Sequence, residues 1–564
     1  MTMETPKPVK ELVLRRQVYT QIDFDQTYLD QAEPSSACQK MKKLCQCSPR
    51  RVGRTLVGYV PLVNFLRRYN WRDWIIPDLV SGLTVGFNHF AQGLGFGILA
   101  SLKPVNGLYS SFIPIVIYMV FGTCPHVSMG TNAIIALLTA TVVNREADAY
   151  VQSLDIKISE DDVMNYKVSV SAATCFVAGI LLLGMGVFRL GFITNYFAKS
   201  FIGGFTFASA MHITTSQLVK MMHLTFRPRS GPGNLVLTYM DICKNITDSN
   251  LGDILVGVVC MVVLLAVKIG INEKFKDKMR YPVPIELIVI VVSTIISHFA
   301  QLHQRFGIAI VGSVPTGFPT PSLPPLELLP RVAQDAFVIG ILCYASTITL
   351  GKLCAKMHSY EIDDNQELIS YGLCNLVGSF FQNFPSCTAP PRAMMLSSLG
   401  ARSTLNGLSS AAFILLVVLV VGQLFVSLPI AMLSAMIIAA MKDLLLLIRE
   451  TKSLWRVNKA DFVIWVLTAA VSILVDLDIG LLTGVAFSLL TVVLVSQTAA
   501  GTVLGRADTE DVVCDEKRRG IHTVPGVRVF RFESQLYFAS AERFKNQLYA
   551  LVFDPNKNKK PKKD

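Results

Sequence analysis

Two apolar stretches in this chain are too short to cross a bilayer as ordinary helices. Ala133–Val143 follows Gly130-Thr131-Asn132, and Ala393–Leu399 follows Ser386-Cys387-Thr388-Ala389-Pro390-Pro391-Arg392. At about 1.5 Å per residue, eleven helical residues cover roughly 16 Å of a hydrocarbon core about 30 Å thick. Short, broken helices in matching positions of two halves point to the central site of a transporter. Their N-terminal N–H groups carry partial positive charge and attract anions. The second stretch starts beside Arg392. The pattern predicts a polytopic membrane protein that binds a small anion near the midplane.

Composition agrees. Of 564 residues 52% are hydrophobic and 16% charged, against about 25% charged in soluble domains. Leu251–Ile269 carries only Asp253 and Lys268 in an otherwise uncharged run, so the solvent for such segments is lipid. The net charge of +12 raises the question of nucleic acid. Its placement excludes that role: the positives gather at Lys40–Arg54, Arg67-Arg68, Lys274–Arg280, Lys352/Lys356, Arg449–Lys459 and Lys557–Lys563. These flank apolar spans, as cytoplasmic loops do. The twelve cysteines, among them Cys38, Cys45 and Cys47 near the N-terminus, show no zinc-site spacing. No metal, cofactor or disulfide framework is expected. Met1–Asn70 is polar and mixed in charge, without a signal-peptide pattern, which predicts a cytoplasmic N-terminus.

Three regions follow: a soluble arm at 1–77, a membrane domain at 78–498, and a soluble C-terminal piece at 499–564. The apolar segments run 78–102, 107–122, 131–143, 168–188, 200–220, 253–271 and 283–300. A second set runs 335–351, 367–380, 391–400, 406–426, 428–441, 461–476 and 479–498. Seven and seven, with the shortest third in each set, is the pattern of an inverted repeat. With the N-terminus inside, the basic stretches Asn272–Arg280 and Arg449–Lys459 also fall inside. Asn144–Lys167 and Met221–Gly252 fall outside, and the latter holds the sequon Asn245-Ile246-Thr247.

Gln92 and Phe96 lie four apart and share one face of a helix. An amide donor and an aromatic edge both suit an anion; both also suit packing between helices. Arg392 is the one arginine between Gln382 and Ala401. At the bilayer centre a charge costs about 2.5–3.5 kcal/mol or more, which marks it as functional, unless it snorkels or sits in a loop.

Pro104-Val105-Asn106-Gly107-Leu108-Tyr109-Ser110-Ser111-Phe112, followed by Phe121-Gly122-Thr123, resembles the signature of the SulP, or solute-carrier-26, anion transporters. So do Asp78-Leu79-Val80-Ser81-Gly82, Asn365-Gln366-Glu367-Leu368 and Gly378-Ser379-Phe380-Phe381-Gln382. The resemblance runs from about Arg15 to Tyr549. It implies an all-α membrane homodimer with fourteen transmembrane segments in two inverted repeats, a core domain and a gate domain. The core holds the anion between the third and tenth helices and moves like an elevator. By this match Gln92, Phe96, the backbone of Thr131, Asn132 and Ala133, and the segment Ala389, Pro390, Pro391 and Arg392 line the site. The implied activity is secondary-active exchange of anions, most simply chloride for bicarbonate, or sulfate or oxalate, in the plasma membrane.

The chain departs from that pattern in places. Ala91 stands where the family often has Pro, Gly130-Thr131 occupies a region where Pro is common, and Pro391-Arg392 replaces the usual Ser-Arg. Two successive prolines remove N–H donors that would point at an anion. Ala336–Gly351 contains no carboxylate, and Ser346 stands about where proton-coupled carriers place Glu. This favours exchange or uncoupled conduction over proton symport. His89 and His212 could titrate in place of that carboxylate, but each reads more readily as a packed or hydrogen-bonded core histidine.

The C-terminal piece resembles the start of an α/β STAS domain. Val527–Phe532 alternates as a strand does, Gln535–Ala541 leads into a helix, and the whole supplies two strands before a lysine-rich tail suited to anionic lipid. Two other readings stand beside exchange: a transport-silent scaffold or sensor, motivated by Pro390-Pro391 and the short STAS fragment, and a prestin-like voltage-driven motor. No nucleophile–base constellation or phosphate loop suggests an enzyme.

Overall fold

The computed structural model describes Thr27 and residues 60–153, 159–196, 198–224, 232–275, 283–312, 317–421, 425–497, 500–507, 510–515, 521–522 and 527–553. Most of the N-terminal arm, with Cys38, Cys45 and Cys47, and the lysine-rich tail lie outside the described residues.

A helix coincides with every apolar stretch read from the sequence. A short α1 (Pro61–Arg68) precedes α2 (Trp71–Leu99), α3 (Pro104–Phe121), strand β1 (Met129–Gly130), α4 (Ala133–Ser153), α5 (Glu160–Val187) and α6 (Lys199–Met221). Then come α7 (Asn234–Lys244), α8 (Leu251–Val267) and α9 (Ile285–Phe299). The second half repeats the order: α10 (Leu329–His358), α11 (Asp364–Ser379), strand β2 (Cys387–Thr388), α12 (Pro390–Leu399), α13 (Asn406–Leu416), α14 (Ile430–Leu445), α15 (Lys459–Leu474) and α16 (Leu477–Gln497). Six helical stretches among the described residues are long and apolar enough to cross a membrane by themselves. On α8, Leu255, Val258, Val259 and Val262 face outward, and on α16 Leu490 and Val492–Val495 do the same. Such faces suit lipid, which satisfies apolar side chains and no backbone polar group.

One expectation needs correction. The apolar run after Asn132 stops at Val143, but α4 continues to Ser153, 21 residues in all. Its polar end stays helical because its side chains find partners. Asn144 Nδ2 donates to Ser101 Oγ at 3.0 Å, and Asn144 Oδ1 accepts from Lys167 Nζ at 3.0 Å. Arg145 donates from two nitrogens to the Asp335 carboxylate on α10, at 3.2 and 2.6 Å. Of the two helices that follow the paired strands, α12 alone, at 10 residues, is half-length, about 15 Å long.

What sets the site in place is the pairing of β1 with β2. The two strands are antiparallel, Met129 opposite Thr388 and Gly130 opposite Cys387. Each is followed after no more than two residues by its helix, so α4 and α12 start from one shared bridge. Backbone at membrane depth must be satisfied within the protein, and each half satisfies the other.

Close packing holds the surrounding helices. α2 and α3 cross backbone to backbone at Gly93 and Gly107: a Cβ on Gly107 would fall on the Gly93 carbonyl. Two buried carboxylates pin the loops that flank the bridge. Glu367, at the start of α11, accepts from Thr123 N (2.7 Å), Thr123 Oγ1 (2.5 Å) and Tyr118 OH (2.9 Å). Asp78 on α2 accepts from Arg402 N (2.7 Å), Ser403 N (3.2 Å), Ser403 Oγ (2.6 Å) and Tyr69 OH (3.1 Å). Burial, and then Asp78, push the Tyr69 hydroxyl up to about 12, so it remains a donor to that carboxylate throughout the physiological range.

Beyond residue 499 the described residues form a four-stranded antiparallel sheet, where the sequence suggests two strands. β3 (Gly501–Ala507) pairs with β4 (Glu510–Asp515), β5 (Ile521–His522) and β6 (Val529–Phe532). The extra strands escape a periodicity reading because Gly505, Arg506 and Asp515 interrupt the alternation. Phe544 on α17 (Phe538–Leu548) packs edge-on against Phe530 and Phe532.

Candidate anion site

The site is built where α2 passes the β1–β2 bridge. Gln92 and Phe96 are both buried on α2. Arg392, three residues into α12, is fully buried. Its Nη1 donates to Gln92 Oε1 at 2.7 Å and its Nη2 donates to the Cys387 carbonyl on β2 at 3.2 Å. The structure thus joins two candidates that stand 300 residues apart. Among the described residues Arg392 makes no ion pair, and its Nε has no hydrogen-bond partner. A buried charge without a counter-charge costs several kcal/mol, a cost that a negative group placed beside it would offset.

The two helix starts differ. Asn132 caps α4: its Oδ1 accepts from Ile134 N at 2.9 Å, and its Nδ2 donates to the Thr388 carbonyl at 3.1 Å. The Asn132 side chain is therefore used in holding α4 to β2, and its main-chain carbonyl accepts from Ala136 N at 2.9 Å. Thr131 is fully buried and its Oγ1 has no partner. Ala133 is buried at the first turn of α4, where N–H groups lack intrahelical acceptors.

At α12 the first turn is already spent. Ala389 is the N-cap, Pro390 and Pro391 carry no N–H, and Arg392 N and Ala393 N both donate to the Ala389 carbonyl, at 3.1 and 3.3 Å. No free donor remains at positions 390–393 of the main chain. Whatever attraction α12 exerts on an anion comes from the Arg392 side chain and the residual dipole. Ala389 is buried and Pro391 is exposed.

His89 is the residue that the list of candidates omits. It precedes Gln92 by one turn of α2, is fully buried, and places Nε2 2.6 Å from Ser128 Oγ. A Cβ on Gly130 would stand 2.5 Å from His89 Cε1 and 3.6 Å from Arg392 Nη2. Glycine on β1 is what lets the imidazole and the guanidinium share this space. The i, i+3 spacing from Gln92 was the available signal. His212, by contrast, meets its expected hydrogen bond: its Nε2 lies 3.0 Å from the Ser472 carbonyl.

The sulfate permease family matches residues 75–468, well over half of the chain and all of the site. This chain belongs to that family. A sulfate transporter from Bos taurus is 35% identical over 530 residues, covering 92% of this chain and 72% of the relative. Solute carrier family 26 member 6 from Homo sapiens is 36% identical over 504 residues, covering 89% and 66%. Among solved structures, the murine solute carrier 26 member A9 anion transporter in its inward-facing state superposes with a TM-score of 0.84 at 30% identity, covering 97% of this chain and 86% of that one. As a sulfate permease family member the chain is a membrane anion transporter and not an enzyme.

Asn245, the sequon asparagine, ends α7, and its Nδ2 donates to the Asp241 carbonyl at 3.0 Å. Ile246 and Thr247 beside it are exposed.

Proposed function

We propose that this chain is a secondary-active anion exchanger of the plasma membrane, with the anion seated between the starts of α4 and α12. The observation that carries the reading is Arg392: a fully buried cation held by Gln92 and a carbonyl, with no acidic partner among the described residues. Gln92, Phe96, the Thr131–Ala133 main chain and the Ala389–Arg392 segment form its walls. Sulfate leads the candidate anions, because relatives carry that name; chloride, bicarbonate and oxalate follow. The chain works as a homodimer in which fourteen membrane segments, seven and seven, divide into core and gate. The core moves as an elevator, and both termini face the cytoplasm. Residues 1–77 form a cytoplasmic arm, 78–498 the transport domain, and 499–564 a partial STAS domain, with Asn245 glycosylated outside.

Reconstituted liposomes test this. Uptake of labelled sulfate driven by a chloride gradient should saturate and should fall to background in Arg392→Gln. Folded dimers that show anion-dependent stabilisation but no uptake would favour a silent scaffold or sensor instead. That second reading draws on the spent donors at Pro390-Pro391.

A further inference from the structure

The sequence argues against proton coupling because Ala336–Gly351 has no carboxylate. The structure holds a cluster of unpartnered buried polar atoms elsewhere. His89 Nδ1, Arg392 Nε and Thr131 Oγ1 are all buried, and none has a hydrogen-bond partner. The histidine and the arginine meet at one point: a Cβ on Gly130 would lie 2.7 Å from His89 Nδ1 and 3.6 Å from Arg392 Nη2. Thr131 is the next residue along the chain. Buried polar atoms are nearly always paired, and exceptions call for a missing partner such as a ligand.

Neutral imidazole has one N–H and one bare lone pair. With Nε2 engaged at Ser128 Oγ, Nδ1 is left unsatisfied in either tautomer. Doubly protonated imidazole donates from both nitrogens, one to Ser128 and one toward the space beside Arg392. The groups that face His89 are few. Arg392 on α12 is the charged one; Ser128, ahead of β1, and Ser111 on α3, whose hydroxyl donates to the His89 carbonyl at 3.4 Å, are neutral. Among the described residues no carboxylate bonds to His89 or to Arg392. A second cation beside Arg392 would meet repulsion. An anion placed there reverses the sign.

We infer that His89 takes up a proton when an anion binds, so that this protein carries anion and proton together. The inference rests on the reading that the Arg392 site holds the anion. It also names the preferred class. A divalent oxyanion such as sulfate balances the guanidinium and the imidazolium at once, whereas chloride balances one of them. By linkage, an anion that promotes protonation is itself bound more tightly by the protonated protein, by the same factor. Acidification therefore tightens sulfate more than chloride.

The test is calorimetric titration of the purified full-length chain with sodium sulfate at about pH 6.5, near the ordinary imidazole midpoint. Repeating it in buffers of different ionisation enthalpy counts the protons taken up per anion. The expected count for sulfate approaches one, and affinity rises by up to about tenfold per pH unit as pH falls through the imidazole range. His89→Gln keeps an amide in place but does not titrate. It should bind sulfate more weakly at acidic pH, with no proton uptake and no pH dependence. Sulfate binding to the wild type without proton uptake overturns the inference and leaves the anion site standing. Proton uptake that persists in folded His89→Gln also overturns it, by assigning the proton elsewhere. Absence of sulfate and chloride binding overturns the exchanger reading, and this inference with it. The wild-type proton count decides even if the variant fails to fold.

Discussion

Replacing Arg392 by Gln separates a ligand from a structural strut. The wild-type guanidinium makes two hydrogen bonds, to Gln92 Oε1 and the Cys387 carbonyl, each worth about 1.5–3 kcal/mol because the donor is charged. Against that stands the cost of keeping an unpaired charge out of water, several kcal/mol even after relaxation. The two terms are of similar size, so the variant should melt close to the wild-type temperature in the absence of anions. Binding should move the other way. One hydrogen bond from a charged donor contributes about 1.5–3 kcal/mol. Two unit charges 4 Å apart attract by about 4 kcal/mol at an effective dielectric constant near 20. The loss should fall between about 1.5 and 4 kcal/mol, or roughly tenfold to a thousandfold in Kd. Sulfate titration followed by thermal melting of the purified protein reads both quantities on one sample. Wild-type affinity in the variant refutes the site. A large fall in melting temperature without anion, matched by the loss in binding, makes Arg392 a strut between α2 and β2 instead.

Restoring main-chain donors at α12 with Pro390→Ala and Pro391→Ser should tighten sulfate by about 0.5–1.5 kcal/mol per new hydrogen bond, read as a lower Kd; no gain means the anion does not reach that turn. Gly130→Ala should displace the His89 ring and destabilise by about 1–3 kcal/mol through overpacking, measured by the shift in melting temperature. A silent substitution there disproves the crowding at β1. Glu367→Gln keeps the shape but weakens three hydrogen bonds to Thr123 and Tyr118. It should cost about 1–3 kcal/mol and lower the melting temperature more than Asp364→Asn at the half-buried Lys352 pair. Equal effects would contradict the burial argument.

The positions of the helices were legible because lipid-facing apolar runs such as Leu251–Val267 carry their own signal. Helix ends were not, wherever a polar residue is paired across the fold. Asn144 and Arg145 read as loop, yet they continue α4 because Ser101, Lys167 and Asp335 meet them. The broken helix at Pro390-Pro391 and the arginine after it were visible as local chemistry. The Arg392–Gln92 contact was not, since spacing along a chain says nothing of neighbours 300 residues away. His89 was legible as a residue that could titrate, but not as a neighbour of the candidate site, for the same reason. An imidazole one turn from Gln92 is ordinary until Gly130 and Arg392 are seen beside it.

The bridge between the two halves also bears on how the protein is made. Asn132 and its partner Thr388 are separated by 256 residues. At about 5–20 residues per second, ribosomes need roughly 10–50 s to supply the second after the first. Throughout that interval β1 has no β2 to pair with, and the Asn132 side chain lacks one of its two bonds. The first half can be made before the second exists, but it cannot finish folding. A nascent chain halted before Cys387 is thus a half-built membrane protein with a polar seam open to lipid, the kind of species that quality control removes.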